Sequence, residues 1–159
     1  MSAGNGGGRS RRRMCAVAAL AVVLGVGLAG CGEDDPFTRY CDEVADQQQP
    51  LTEAAAAGPT RGLLQALPSF RALQEKSPDD IADEWAVVVQ RLTVLDDALE
   101  AAAVDATTYD PTQPLEDLST EDAAAISAAA SGLVTEAMRT ALDAVQQQSR
   151  DVCKTPLSL

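Results

Sequence analysis

Histidine is absent from all 159 residues, and that absence excludes more chemistry than any motif in the chain suggests. A Ser-His-Asp triad, the zinc motif H-E-x-x-H, the Glu-x-x-His di-iron site of helical bundles and histidine ligation of haem all require an imidazole. Aromatic residues are nearly as scarce. Phe37, Tyr40, Phe70, Trp85 and Tyr109 are the whole set, so the core is built from small aliphatic side chains and a covalent staple would help it. Basic residues number 12 against 24 acids, a net charge of −12, which argues against a nucleic-acid partner. None of the four cysteines forms a C-x-x-C pair, so no redox or zinc motif of that kind is present.

What is present begins with a graded N-terminus. Glycines 4, 6, 7 and 8 and the cations Arg9, Arg11, Arg12 and Arg13 precede an uncharged run of 17 residues, 14–30, rich in Ala, Val, Leu and Gly. That run is short for a spanning helix of about 20 residues and normal for the core of an export signal. Small Ala29 and Gly30 then sit beside Cys31. Leu28-Ala29-Gly30-Cys31 resembles the lipobox of bacterial lipoproteins. The resemblance implies removal of residues 1–30, a diacylglycerol thioether on Cys31 and often an acylated amine. The rival is an uncleaved anchor, which would equally leave the domain outside and tethered. Ser10-Arg11-Arg12-Arg13-Met14 loosely matches a twin-arginine signal, and the export route stays open. Gly25-Val26-Gly27-Leu28-Ala29-Gly30 fits G-x-G-x-x-G, but Cys31, three acids and Pro36 follow where a dinucleotide site needs a helix.

Cleavage would take four arginines and no acid, leaving 24 acids over eight basic residues and a net charge of −16. Such a domain is expected to stand off anionic headgroups and to rely on covalent lipid, two or more acyl chains anchoring where one is marginal. Cys15 would leave with the signal and Cys31 would be spent on lipid. The two cysteines that remain, Cys41 and Cys153, are expected to form a disulfide in an oxidising compartment, the rival being two free thiols. Residues 31–36 read as a lipidated acidic tether and 37–159 as a single helical domain.

Helical spacing runs through Phe37, Tyr40, Val44 and Leu51, with a break or kink expected at Pro50 and a stop at Gly58-Pro59. A second region carries Leu63, Leu64, Leu67, Phe70 and Leu73, interrupted or restarted at Pro68. Ser77-Pro78-Asp79-Asp80 predicts the start of a third helix, with a serine cap, proline at the first position and acids in the first turn. Its stripe of Ile81, Trp85, Val88, Leu92, Leu95 and Leu99 extends to about Val104. A crossover loop is expected near 105–118, and Ser119 or Thr120 is expected to cap one last helix. Its inward face is Ile126, Ala130, Leu133, Ala137, Met138, Ala141, Leu142 and Val145. The expected fold is therefore all-α, an antiparallel bundle of about four helices closed by a disulfide, in which up-down-up-down order brings Cys41 and Cys153 to one end. A bent three-helix bundle is the alternative.

For chemistry, only carboxylates remain. Asp79, Asp80, Asp83 and Glu84 are explained by helix-start electrostatics, and Asp96, Asp97 and Glu100 by a solvated face. Asp105, Asp110, Glu116, Asp117, Glu121 and Asp122 offer oxygen ligands for calcium without EF-hand spacing. Trp85 falls on the apolar stripe and is expected in the core rather than in a ligand pocket. The lipobox, the Ala-rich acidic helices and a cysteine near each end together resemble small helical lipoproteins of high-GC Gram-positive bacteria. The resemblance implies the outer face of the cell membrane and no activity. The expected function is a non-enzymatic interaction or scaffold module of the envelope, with the membrane reached through covalent lipid, an envelope protein as partner and no cofactor or resident metal. The alternative is a small-molecule or ion-binding lipoprotein with a pocket between helices.

Overall fold

The computed structural model describes residues 35–113 and 118–158, and among these every regular element is a helix. Asp35 opens α1 (Pro36–Asp46): its carboxylate accepts from the Thr38 backbone N–H at 2.9 Å, and Pro36 occupies the first position, where a missing N–H costs nothing. The kink expected at Pro50 falls three residues earlier, at Gln47, and α2 (Gln48–Ala55) continues beyond it. Pro50 cannot donate to Asp46 and its ring crowds that carbonyl, so the chain bends upstream of the proline.

Gly58, at φ 94°, and Pro59 then reverse the chain into α3 (Pro59–Lys76). With ψ at 172°, this positive φ falls in a backbone region essentially reserved for glycine. Gly62 is fixed for a different reason: a Cβ there would lie 2.6 Å from the Ala54 carbonyl oxygen, so α2 and α3 cross at backbone contact. The interruption expected at Pro68 does not occur. Pro68 faces solvent while Leu64, Leu67, Phe70 and Leu73 are buried on the other side. At about 1.5–3 kcal/mol for each such side chain, that burial outweighs an interior proline's cost of about 3 kcal/mol. Residues 60–76 thus form a helix of their own, which removes the three-helix alternative.

The expected serine-capped start is displaced. Ser77 closes α3 instead, its hydroxyl donating to the Gln74 carbonyl at 2.8 Å, and α4 (Ala82–Ala101) begins after Ile81 without a side-chain cap. Burying Pro78 and Ile81 sets this later frame. Asp83 and Glu84, rather than Asp79 and Asp80, lie in the first turn. α4 also ends before Val104, because Ala103 turns left-handed at φ 55°; its N–H donates to Glu100 at 3.0 Å and that of Val104 to Leu99 at 2.8 Å.

The single last helix is two. Ser119 caps α5 (Thr120–Leu133), accepting from the Asp122 N–H at 3.1 Å. Thr135 then caps α6 (Glu136–Val152), accepting from the Met138 N–H and donating to the Gly132 carbonyl at 3.0 Å. Of the expected inward face, Ile126, Met138, Ala141 and Val145 are buried, Ala129 replaces Ala130, and Ala137 is exposed. α4 is the central strut, packed on α3, α5 and α6, while α1 packs on α3 and α6. Kinked α1–α2, α3, α4 and broken α5–α6 preserve the four-segment bundle, and Cys41 and Cys153 are joined by a disulfide.

Candidate functional site

The bridge sits beside a buried polar triad. One residue before Cys41, Tyr40 reaches into the core, where its hydroxyl accepts from Trp85 Nε1–H at 3.1 Å and lies 3.3 Å from the Ser149 hydroxyl. The Trp85 ring meets Phe70 at a centroid separation of 5.7 Å, tilted by 45°. Burial raises the Tyr40 pKa above 10.0, against the two hydrogen bonds that lower it and with the nearby Asp80 charge adding to the rise. No reactive group faces solvent here. Tyr40, Trp85 and Ser149 are fully buried, so the triad fixes how α1, α4 and α6 meet. Sequence reasoning found Trp85 in the core but missed Ser149. Its one signal was a position four residues after Val145 on the same stripe.

The described acidic residues do not converge. Among the described residues no three His, Cys, Asp or Glu side chains gather closely enough to hold a metal. Asp105 accepts from the N–H and hydroxyl of Thr107, Asp110 likewise from Thr112, and Asp122 from the Ser119 hydroxyl. Asp105 and Asp110 are held below the usual carboxylate range by these threonine hydrogen bonds. Each carboxylate shapes its own turn. Glu116 and Asp117 lie outside the described residues, as does Cys31. Asp80 accepts from Gln148 Nε2 at 3.1 Å and so ties the start of α4 to α6.

An apolar groove of about 420 Å³ lies between the end of α2, the first half of α3 and the middle of α6. Leu51, Ala54, Gly62, Leu63, Ala66 and Leu142 line it, with Gln146 and Ser158 at its polar margin, and no charged side chain contributes. A second depression of about 420 Å³ beside α5, lined by Tyr109, Ile126, Ala130 and Val134 together with Gln113, Ser127 and Ser131, also lacks charged side chains but is more polar. The close approach at Gly62 lets α2 and α3 share one wall, and the small side chains at positions 54 and 66 keep it hollow. Spacing of apolar residues identified Leu51, Leu63 and Leu142 individually. It gave no sign that they share a surface, because the α2–α3 reversal and α6 are far apart in sequence.

No described helix is long and apolar enough to cross a membrane. Comparison with family models, curated proteins and solved structures finds no significant match.

Proposed function

We propose that this chain is an extracytoplasmic lipoprotein, lipidated on Cys31, whose helical domain is a non-enzymatic module that receives an envelope protein in the α2–α3–α6 groove. The observation that carries this proposal is a groove both uncharged and lined mainly by aliphatic side chains, on an acidic domain. A partner offering apolar side chains would meet no desolvated charge there, while the acidic surroundings would repel poorly matched surfaces. The Cys41–Cys153 bridge supports an oxidising location, and Leu28-Ala29-Gly30-Cys31 supports the anchor. The absence of histidine supports a role without catalysis.

A small neutral molecule is the second reading, favoured by one observation: about 420 Å³ falls within the 300–1,000 Å³ typical of small-molecule sites. Photocrosslinking amino acids at Leu63 and Leu142 in intact cells separate the two. A reproducible protein adduct from both positions, lost on Ala55→Glu at an exposed position of the same lining, supports the protein partner. A co-purifying small molecule without a protein adduct supports the second reading, and neither adduct nor molecule removes the groove from consideration. Cys31→Ala tests the anchor independently, with release into the medium as the expected result.

A further inference from the structure

We infer that the disulfide-closed end of the bundle seats on the bilayer through Phe37 and Val152, so that the domain stands end-on at the headgroup boundary rather than apart from it. The placement rests on Cys31 carrying lipid. The start of α1, the end of α3, the start of α4 and the end of α6 meet at this end: Pro36, Arg39, Lys76 and Asp79 line one depression, and Cys41 is bonded to Cys153. Phe37 lies one helical turn before Cys41 on the same face of α1, and Val152 adjoins Cys153. Both side chains are 38% exposed, and they are two of the four large apolar residues left exposed among the described residues. Cys31 is five residues before Pro36, a reach of at most about 18 Å, so an acyl chain on Cys31 holds this end at the membrane and no other.

Charge does not drive this contact. Exposed Arg39, Lys76, Arg150 and Lys154, half of the basic residues between 35 and 158, ring this end, and their long stems suit the headgroup layer. Asp35, Asp42, Glu75, Asp79, Asp80 and Asp151 outnumber them, so attraction to anionic lipid is not the cause. A zwitterionic bilayer is sufficient.

The test uses the full lipidated chain in phosphatidylcholine vesicles with and without brominated acyl chains. Trp85 is fully buried and gives a constant background. Phe37→Trp places a reporter at the bridged end, and Val134→Trp places one at the opposite end of α6, at a site 77% exposed. Both are surface positions, so both variants keep the bundle. The emission added by Phe37→Trp is expected to fall roughly twofold on bromination and that added by Val134→Trp to stay unchanged, since interfacial side chains lie about 5–10 Å into the bilayer boundary. Vesicle-bound protein with neither reporter quenched, or with both quenched equally, overturns end-on seating and leaves the lipid anchor standing. Protein that fails to float with the vesicles overturns the anchor and the seating together.

Discussion

The two hydrophobic clusters of this domain are built by opposite means. Around the bridge, Tyr40, Phe70, Trp85, Leu73, Leu92 and Met138 join α1, α3, α4 and α6 in one large core, with a hydrogen-bonded triad inside it and a disulfide at its edge. Around α5, among the described residues, Leu64, Leu95, Leu99, Tyr109, Ile126 and Ala129 are buried, and the cover is partly a loop. α5 rests on α4 and touches α6 little. Fewer described side chains are buried there, and local devices shape the chain: a serine cap, two Asp–Thr turns and a left-handed stop at Ala103. Aromatic scarcity is thus not spread evenly. Four of the five aromatic residues lie on α1, α3 and α4, and only Tyr109 serves the second cluster.

The largest way to erase the contrast is to open the bridge. Cys41→Ser with Cys153→Ser frees a loop closed over 112 residues, for which chain entropy gives a loss of about 5 kcal/mol. Urea unfolding should show a clear fall in midpoint. Amide exchange should rise most in α1 and the last turn of α6, and least in α5, which the bridge does not touch. Exchange that rises first in α5 would mean that the bridge supports both clusters equally.

Next in size is the triad. Tyr40→Phe removes the acceptor of Trp85 Nε1–H and strands Ser149, at a cost of about 1–2 kcal/mol. It also tests a pH effect whose sign is fixed. Burial raises the Tyr40 pKa in the folded chain above its ordinary 10.0, so the contribution is fully present below pH 10.0 and is lost as pH rises from there through the folded value. Tyr109 is raised by burial in the same direction, with Asp110 adding to it. Alkaline melting should therefore flatten partly in Tyr40→Phe and further when Tyr109→Phe is added. An unchanged alkaline limb in both would show that neither phenol controls it.

In the second cluster one change should stabilise. Ala103 holds φ 55° at the end of α4, a backbone region that penalises a Cβ. Ala103→Gly relieves that strain at some entropic cost and should raise stability by about 0.5–1 kcal/mol, measured as a higher urea midpoint with unchanged slope. A loss would mean that the Ala103 methyl contributes packing that outweighs the strain.

Class, segment order and bridge were legible because they depend on long-range features of the sequence: a period of 3.6, two remaining cysteines and punctuation by Gly58-Pro59. Boundaries were not, because they depend on contests between neighbours. Ser77-Pro78-Asp79-Asp80 reads as a helix start, yet burial of Pro78 and Ile81 decided the frame. Pro68 reads as a break, yet its solvent-facing position made it tolerable. Val134-Thr135 gave no breaker residue, and the α5–α6 break follows from a threonine that caps one helix while bonding the end of another. The groove was invisible for a further reason: its walls come from segments joined only by tertiary packing.

The smallest effect belongs to the turns that precede α5. Asp105 is exposed and Asp110 half-buried with its carboxylate reaching solvent, and threonine hydrogen bonds hold both below their ordinary 3.8. Their contribution is present above pH 3.8 and is lost as pH falls through the lower folded values, the reverse of the tyrosine case. Because both are open to solvent, the loss should appear as local loosening rather than unfolding. The Thr107 and Thr112 amide resonances should shift together with their aspartates below about pH 4, while Trp85 and Tyr40 stay unmoved. Asp105→Asn should abolish the Thr107 titration and leave that of Thr112 in place. If acid moved the Trp85 core at the same pH as the turns, the two clusters would unfold as one unit, and the difference between them would lie in composition alone.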